Sequence, residues 1–553
     1  MNHLAKTLAL MWRCDSRSLL FRVFYTLLSS VLPLASLYLL KLLVDEVTRL
    51  IDTHEAVGHG SVVWIAVAFC AIFLLNRIVI ALSSYNNDVM QQRLIDYISN
   101  IIHTQSSRLD LSYYDNAEFH DTFHRAQQEA SMRPVQVVNN LMNGGGAVVS
   151  IVGVVVLLVA GGSWMVPLLM IVAVLPSFFV RLGKSRSIYR FRRETTQLSR
   201  RSNYYSTLLT SYVSAKEVRA FGLAPLFIER FVDVRRRMVK EIMRISRWIS
   251  ARDILCGVIE TVALLAVIAL LAFQATSGAI TIGSFVMMFE AFRRGQGSMT
   301  TLVASISGLY DNKLFLQNLF EFLDLKPAVV SPAKPTPFPE KIERVDFENI
   351  TFAYPPNSDG QTHNVFEGYS LTARRGEITQ IKGQNGFGKT TLLKLLLRLY
   401  DPTQGRITIN GIDIREFDLT TLRRRVSAVF QDYVRFFMTA SDNVRMGDVE
   451  AMLSGVDDTQ RVQSALRLSS ADEVVDRLSK GLDTPLGRLF DGGEELSMGQ
   501  WQRIALARGL YAEAPIVVLD EPMAWMDVTT REKFWAHLDE LKKERIVILI
   551  SHL

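Results

Sequence analysis

The sequence predicts an α-helical membrane bundle of six transmembrane helices, followed by an α/β domain that carries a phosphate-binding loop. Three observations support this fold class. Long apolar runs fill residues 1 to about 325, a proline-rich stretch occupies residues 326–340, and strand-like and helical segments alternate over residues 341–553. We therefore expect a membrane domain, a linker and a soluble α/β domain, in that order.

The membrane domain is predicted from the length of the apolar runs. Hydrophobic residues make up 49% of the chain, which is high for a soluble protein. A helix needs roughly 20 mainly apolar residues to cross a bilayer. Six segments are candidates: about 18–47, 62–83, 138–160, 163–182, 250–274 and 280–306. A large soluble helical core is the alternative, but a run such as V-V-S-I-V-G-V-V-V-L-L-V-A would coat it in valine and leucine.

The distribution of charge predicts which side of the membrane each loop faces. Two long connections, about 84–137 and 183–249, alternate with three short ones. Residues 181–201 hold eight Lys or Arg against one Glu, whereas the short connections hold only Arg49. Because basic loops stay in the cytoplasm, we expect both long loops and the α/β domain there. The net charge of +6 fits this arrangement, and we expect no nucleic-acid partner.

A glycine-rich loop gives the strongest chemical signal. Residues 383–391 read G-Q-N-G-F-G-K-T-T between a predicted strand and a predicted helix, and fill the pattern G-x-x-x-x-G-K-T. Backbone N–H groups of such a loop cradle phosphates at a helix N-terminus, the lysine reaches the β- and γ-phosphates, and the next hydroxyl binds Mg²⁺. The predicted residues are Gly383, Gln384, Asn385, Gly386, Gly388, Lys389 (also catalytic), Thr390 (also a Mg²⁺ ligand) and Thr391.

An acidic pair ends a second apolar strand, P-I-V-V-L-D-E-P, at residues 515–522. Asp520 would hold Mg²⁺ through its water shell, and Glu521 would polarise the attacking water as a general base. A strand that ends in a solvated acid pair is the plainer interpretation. The phosphate-binding loop favours the catalytic one.

The stretch L-S-M-G-Q-W-Q-R-I-A-L-A-R, residues 496–508, resembles the signature of the ATP-binding-cassette (ABC) transporters. With its apolar region placed first, the whole chain resembles a half-transporter of the exporter type. Ser497, Gly499 and Gln500 match the signature, and Met498 replaces its usual second glycine. The resemblance implies ATP and Mg²⁺ as cofactors. It also implies a homodimer, or a heterodimer with a similar half, because the signature of one chain closes on the ATP of the other.

The resemblance assigns four further residues by position. Tyr354 would stack on adenine, Gln431 would sense Mg²⁺, and Asp527 would contact the nucleotide beyond the acid pair. His552 would hold the γ-phosphate and complete the catalytic set with Glu521. Cassette domains of this type continue for some tens of residues beyond this histidine, so we expect the domain to be incomplete here.

The resemblance predicts the cargo through the two long loops. Residues 113–119 and 215–222 resemble the coupling helices of bacterial peptide exporters, including those for lantibiotics, and Asp115 is expected to be an N-cap. The chain would then export a small, modified, antimicrobial-type peptide across the bacterial cytoplasmic membrane by ATP-gated alternating access. A lipid, glycolipid or drug exporter is one alternative. A regulatory or degenerate ABC membrane ATPase is another.

Ionisable residues inside the predicted spans are the candidates for a cargo cavity. Such residues are costly in a membrane and usually face a cavity or a partner. Salt bridges within the bundle are the alternative explanation. The candidates are Arg77, Glu260, Glu290, Arg293 and Arg294.

Overall fold

A computed structural model of the chain describes residues 2–53, 59–115, 133–355, 363–383 and 388–551. The chain forms two compact units. One comprises Met1–Ser107 and Thr122–Asp324, and the other Arg108–Asp121 and Leu325–Leu553. The predicted site residues that lie outside the described residues are Gln384, Asn385, Gly386 and His552, together with positions 116–119 of the first coupling segment.

Helices of 4 to 53 residues form the N-terminal part of the chain. They are α1 (Asn2–Thr53), α2 (His59–Arg108), α3 (Leu111–Tyr114), α4 (Arg133–Ala160), α5 (Met165–Glu194), α6 (Thr196–Thr210), α7 (Ala215–Ala220), α8 (Ala224–Thr276) and α9 (Ile282–Leu323). Helix α1 is broken at Asp15, whose backbone has φ −157° and ψ 85°. The Asp15 carboxylate accepts the backbone N–H of Ser18 at 3.0 Å, and this restarts the helix.

Within the described residues, four helices are long and apolar enough to cross a membrane. They are Ala5–Ile51, Gly60–Arg108, Arg133–Ala160 and Ala224–Thr276, and they contain the first, second, third and fifth predicted spans. Met165–Arg181 is a shorter apolar helix within the fourth predicted span. The sixth predicted span lies in α9, where charged residues interrupt the apolar sequence. The protein is a multi-pass membrane protein, and the count of six spans stays a prediction.

The helical unit has a core in which α4, α5, α8 and α9 meet. Val154 and Leu158 of α4 are fully buried against Met170 of α5, Val267 of α8 and Phe292 of α9. These side chains lie on one face of each helix, while the opposite faces expose valine, leucine and isoleucine. An apolar exterior of this kind suits helices surrounded by lipid.

The second unit is built on two β-sheets. The antiparallel sheet has the order β2 (Asn364–Arg374), β1 (Arg344–Ala353), β4 (Gln404–Ile409), β5 (Ile412–Asp413). The parallel sheet has the order β3 (Ile378–Lys382), β8 (Ile546–Ser551), β7 (Ile516–Asp520), β6 (Val426–Val429). Every residue of β7 is buried, and all but the last of β8. Continuous apolar strands are typical of a parallel sheet that is covered on both faces.

Helices surround these sheets. They are α10 (Lys389–Leu396), α11 (Leu419–Arg424), α12 (Ala440–Arg445), α13 (Val449–Ser454), α14 (Thr459–Leu468), α15 (Asp472–Val475), α16 (Met498–Tyr511) and α17 (Val528–Glu544). A second core in this unit surrounds Trp501 and Tyr511 of α16, whose side chains are fully buried.

The short helix α3 belongs to this second unit and is held at both of its ends. Asp110 accepts the backbone N–H of Ala328 at 2.5 Å, and Leu111 packs against the sheet core. At the other end, the carboxylate of Asp115 accepts a hydrogen bond from the Tyr400 hydroxyl. Asp115 follows the last turn of α3 as its C-cap. The helix that Asp115 was predicted to cap at its N-terminus would begin outside the described residues, so that prediction stays open.

Candidate nucleotide-binding and hydrolysis site

The carboxyl ends of the parallel strands bring most of the predicted catalytic residues to one edge of the sheet. Lys382, the residue before Gly383, pairs with Ser551, and Asp520 pairs with Ile550. Gln431 lies two residues after β6, the neighbour of β7. Ligands of open α/β sheets bind at this edge, where loops from several strands meet.

The phosphate-binding loop leads directly into α10. Gly388 has φ +83°, and a Cβ atom at this position would lie 2.2 Å from Val365 Cγ1, so only glycine fits. Lys389 is the first helical residue, and its buried side chain donates from Nζ to the carbonyl oxygen of Gly383 at 2.9 Å. The ammonium group therefore lies over the first residue of the loop, where a bound phosphate would replace the carbonyl as its partner.

Thr390 and Asp520, the two predicted Mg²⁺ ligands from different elements, are in direct contact. The Thr390 hydroxyl donates to Asp520 Oδ2 at 2.6 Å. Asp520 is only 3% exposed, and burial raises its pKa, with a further rise from the neighbouring Glu521 carboxylate. A buried carboxylate beside a second one is stabilised by a cation, and a hydroxyl with a carboxylate is an oxygen set that Mg²⁺ accepts. These residues fit a magnesium ion.

Glu521 is held by several hydrogen bonds in a backbone conformation that is unusual for glutamate. Its φ is +50°, and its N–H donates to the Ile550 carbonyl at 3.0 Å. Gln431 Nε2 donates to the Glu521 carboxylate at 2.8 Å, and Gln502 Nε2 donates to the Glu521 carbonyl oxygen at 2.9 Å. A left-handed non-glycine residue costs on the order of 1–3 kcal/mol and persists only where its surroundings hold it. The strain therefore marks Glu521 as a residue with a positioned side chain.

Sequence reasoning missed Gln502. Its side chain is buried in α16, and its Oε1 accepts the backbone N–H of Trp525 at 3.3 Å while its Nε2 holds Glu521. Gln502 therefore ties the signature helix to the loop that carries the acid pair. The sequence offered no signal for this role, because the burial of Gln502, which makes its amide need partners, follows only from the fold.

The signature residues begin α16 and form its N-terminal cap. The Ser497 hydroxyl accepts the Gln500 N–H at 3.3 Å, and Gln500 Oε1 accepts the Ser497 N–H at 2.8 Å, which is a capping box. At Gly499 a Cβ atom would lie 2.7 Å from the Trp525 carbonyl oxygen, so glycine is required for close packing. The Met498 side chain is 44% exposed, which explains how the fold accommodates it in place of glycine.

The side chains of Tyr354 and Asp527 both make hydrogen-bond contacts within the second unit. The Tyr354 hydroxyl is 2.9 Å from Thr391 Oγ1, and its ring packs edge-on against Tyr400 with centroids 5.4 Å apart. Asp527 caps α17 by accepting the Thr530 N–H at 2.8 Å, and this hydrogen bond lowers its pKa. An adenine-stacking role for Tyr354 and a nucleotide contact for Asp527 stay predictions.

The five cargo-cavity candidates are not gathered into one site by the helical unit. Arg77 is exposed on α2, and Glu260 of α8 accepts the Ser177 hydroxyl at 2.6 Å. Arg293 pairs with Glu290, one turn away on α9, at 3.6 Å. Arg294 lines a polar cavity of its own. A salt bridge within the bundle, the alternative kept open in the sequence, is present for Glu290 and Arg293, whereas Glu260 makes a hydrogen bond with a neutral residue. A cargo role for the five residues stays a prediction.

Comparison with known proteins agrees with these features. Residues 366–524 match the family model described as ABC transporter. The chain is 27% identical over 553 residues to the subtilin transport ATP-binding protein SpaT of Bacillus subtilis, covering 100% of this chain and 88% of that protein. It is 26% identical over 552 residues to the nisin transport ATP-binding protein NisT of Lactococcus lactis subsp. lactis, covering 99% and 89%.

Two further similarities concern a lipid transporter and a solved structure. The chain is 30% identical over 396 residues to the ATP-dependent lipid A-core flippase of Paraburkholderia xenovorans (strain LB400), covering 70% of this chain and 63% of that protein. Its fold matches the structure of a bacterial Atm1-family ABC exporter with ATP bound. The TM-score is 0.80 at 21% sequence identity, with 98% of this chain and 92% of that chain covered.

Proposed function

We propose that this chain, an ABC transporter with the fold of an ABC exporter, uses ATP hydrolysis to move a small peptide of antimicrobial type out of the cytoplasm. The observation that carries the peptide assignment is its similarity, over at least 99% of its length, to two relatives named for the transport of subtilin and nisin. The exported compound itself would be a relative of those peptides in chemistry: small, amphipathic and of mixed charge.

The geometry at the strand edge supports hydrolysis by Glu521. Its carboxylate is oriented by Gln431, and its backbone is held by Gln502 and Ile550. A carboxylate in this position would orient a water molecule and accept its proton as the water attacks the γ-phosphate. Lys389 would hold the β- and γ-phosphates at the N-terminus of α10 and stabilise the negative charge that spreads over them.

Thr390, Asp520 and Gln431 are the residues proposed to hold Mg²⁺. When bound, the ion would neutralise charge on the phosphates. In the structure the Thr390 hydroxyl already donates to Asp520, so the two ligands need no rearrangement to face the same position. His552 is proposed to contact the γ-phosphate, and it would follow Ser551 at the end of β8, next to β3.

A second copy of the chain, or a similar half-transporter, is proposed as the partner. The capping box leaves the N-terminus of the signature helix α16 preformed, and its dipole favours a phosphate. By the resemblance to ABC exporters, that phosphate would belong to the ATP held by the opposite subunit. Ser497 of one chain and Lys389 of the other would then enclose each ATP.

Lipid transport is the second candidate, and one observation favours it. The identity to the lipid A-core flippase, 30% over 396 residues, is slightly higher than the identity to the two peptide transporters, although it covers less of both chains. Full-length coverage is the reason that we place peptide export first.

Reconstitution into liposomes separates the two candidates. The purified protein would be assayed for ATPase activity with a panel of mixed-charge amphipathic peptides and, separately, in liposomes that contain lipid A or phosphatidylglycerol. We expect the peptides to stimulate hydrolysis and to be accumulated in inside-out vesicles in an ATP-dependent manner. The Glu521→Gln variant in the same vesicles controls for passive uptake. Stimulation and movement of lipid alone, with no peptide effect, would overturn peptide export.

A further inference from the structure

A polar cavity of about 370 Å³ lies between α1, α4 and α9, and we refer to it as the α1–α4–α9 cavity. Its wall combines hydroxyl groups, one amide and one cation, in helices that are otherwise rich in apolar residues. The side chains that matter here are Thr26, Ser29, Ser30, Asn143, Thr301 and Arg294. Among the described residues that line it, Arg294 is the only ionisable one, so the cavity carries a positive charge.

Arg294 lacks a counter-ion in the part of the chain that the structure describes. Its Nε atom is buried and makes no hydrogen bond. The neighbouring Arg293 differs, because it pairs with Glu290 and its side chain is 61% exposed. A buried donor without an acceptor is costly, and a charge within a membrane-spanning unit raises that cost. A cation kept under these conditions points to a ligand that supplies the missing acceptor.

A second guanidinium supports the same conclusion from another helix. Arg22 precedes Thr26 by one turn of α1 and is 7% exposed. Its Nη2 donates to Asn139 Oδ1 at 2.5 Å, but its Nη1 is buried and has no partner among the described residues. Asn139 precedes Asn143 by one turn of α4, so the Arg22–Asn139 pair lies one turn from the cavity wall on both helices. Two of the three helices thus carry an arginine with an unused donor.

Three hydroxyl groups of the cavity can accept further hydrogen bonds but cannot donate any, unlike the two guanidinium groups. Ser29 and Ser30 both donate to the Thr26 carbonyl, at 3.0 and 2.7 Å, and Thr301 donates to the Gly297 carbonyl at 2.9 Å. Because each hydroxyl has one hydrogen, these oxygens retain only acceptor capacity. The cavity therefore offers a charged donor at Arg294, the neutral amide of Asn143, and hydroxyl oxygens that can only accept.

We propose that the α1–α4–α9 cavity binds the carboxylate end of a peptide cargo, with Arg294 as its counter-ion. The C-terminal end of a peptide matches both kinds of group in the wall. Its carboxylate accepts from the guanidinium, and the adjoining backbone N–H groups donate to the hydroxyl oxygens. A phosphate at neutral pH offers almost only acceptors and would leave those oxygens without donors. The inference rests on the proposed peptide export and adds the chemical group that the bundle recognises.

The test compares two forms of one probe in the wild-type protein, so that it does not depend on a variant folding. The probe is a fluorescein-labelled, mixed-charge amphipathic peptide, made once with a free C-terminal carboxylate and once as the C-terminal carboxamide. Affinity is measured by fluorescence anisotropy on the full-length protein in nanodiscs of phosphatidylcholine. We expect the carboxylate form to bind about tenfold more tightly, the effect of one charge-assisted hydrogen bond.

Two variants then locate the effect. In Arg294→Gln the difference between the two peptides should disappear, and in Arg294→Lys part of it should return. Arg293→Gln is the matched control, because it removes the adjacent positive charge that Glu290 already neutralises, and it should leave the tenfold preference intact. Nanodiscs with phosphatidylglycerol test the other source of an oxyanion, and they should not displace the peptide.

The outcomes distinguish failure of the carboxylate site from failure of peptide export. Equal affinity for carboxylate and carboxamide, with ATP-dependent transport of both, would overturn the carboxylate site and leave peptide export standing. A preference that persists in Arg294→Gln would overturn the role of Arg294. Displacement of the peptide by phosphatidylglycerol would show that the cavity selects a lipid phosphate and would overturn the carboxylate assignment. Failure of both peptides to bind and to be transported would overturn peptide export and the carboxylate site together.

Discussion

The two units of the chain use charged residues in opposite ways. At the edge of the parallel sheet, the Thr390–Asp520 hydrogen bond and the Gln431–Glu521–Gln502 hydrogen bonds form one connected set, because Asp520 and Glu521 are adjacent in the chain. In the helical unit, the cargo candidates are not linked in this way among the described residues, and Arg294 Nε makes no hydrogen bond. The first arrangement fixes groups for a defined reaction. The second leaves donors available to a ligand, so the cost of isolated charges in the bundle is evidence about cargo.

The largest effect is expected from a substitution of Glu521, which lies at the centre of the connected set. Replacing Glu521 by glutamine retains the shape of the side chain but removes the base that would accept a proton from water. Loss of a general base typically costs 10²–10⁴-fold, so we expect ATP hydrolysis to fall at least about a hundredfold. Binding of a fluorescent ATP analogue, measured in parallel, should be retained, because Lys389 and the loop are unchanged. Wild-type turnover in this variant would remove Glu521 from the mechanism.

The same set allows a sharper test at Gln502, the residue that the sequence did not predict. Gln502→Met keeps the length of the side chain and removes the donor to the Glu521 carbonyl and the acceptor for Trp525. We expect kcat to fall about tenfold, since one buried hydrogen bond is worth about 1 kcal/mol and an unsatisfied partner costs more. KM for ATP should change little, because the hydrogen-bond partners of the Gln502 side chain among the described residues are Glu521 and Trp525, outside the phosphate-binding loop. A purely structural role would lower the thermal midpoint and leave kcat of the folded fraction unchanged.

These two residues show what the sequence predicted and what it did not. Glu521 follows an apolar strand and an aspartate, and the phosphate-binding loop gives that pattern a meaning. Gln502 acts through a carbonyl 19 positions away in the chain, and no local pattern encodes that contact. The four candidate spans that form long apolar helices were predicted from hydropathy alone, whereas α9 was harder because its charged residues and glycines interrupt the apolar run. The α1–α4–α9 cavity depends on how three distant helices pack, so only the structure reveals it.

A smaller effect is expected where α3 packs against the rest of the second unit. The Tyr400 ring packs against Tyr354, while its hydroxyl donates to Asp115, and burial together with this carboxylate raises the pKa of Tyr400. Tyr400→Phe keeps the ring and removes only the hydroxyl. We expect amide hydrogen exchange over residues 111–115 to accelerate about fivefold, as expected for the loss of roughly 1 kcal/mol of local stability. Tyr212→Phe, at an exposed position, controls for the general effect of the substitution. Unchanged exchange in Tyr400→Phe would show that Asp110 and Leu111 hold the helix by themselves.

The smallest effect is expected at Glu260, a charged residue of the bundle whose hydrogen-bond partner is neutral. Its Oε1 accepts the Ser177 hydroxyl at 2.6 Å, and the side-chain carbonyl of glutamine can accept the same bond. If Glu260 is structural, Glu260→Gln should change peptide-stimulated ATPase activity by less than about twofold, because the hydrogen bond between α5 and α8 survives. Glu260→Leu, which removes the acceptor, should instead lower the thermal midpoint of the detergent-solubilised protein. A large loss of peptide stimulation in Glu260→Gln, with unchanged thermal stability, would place the negative charge itself in the cargo path. The carboxylate of Glu260 would then be a second recognition group, suited to a cationic part of the peptide.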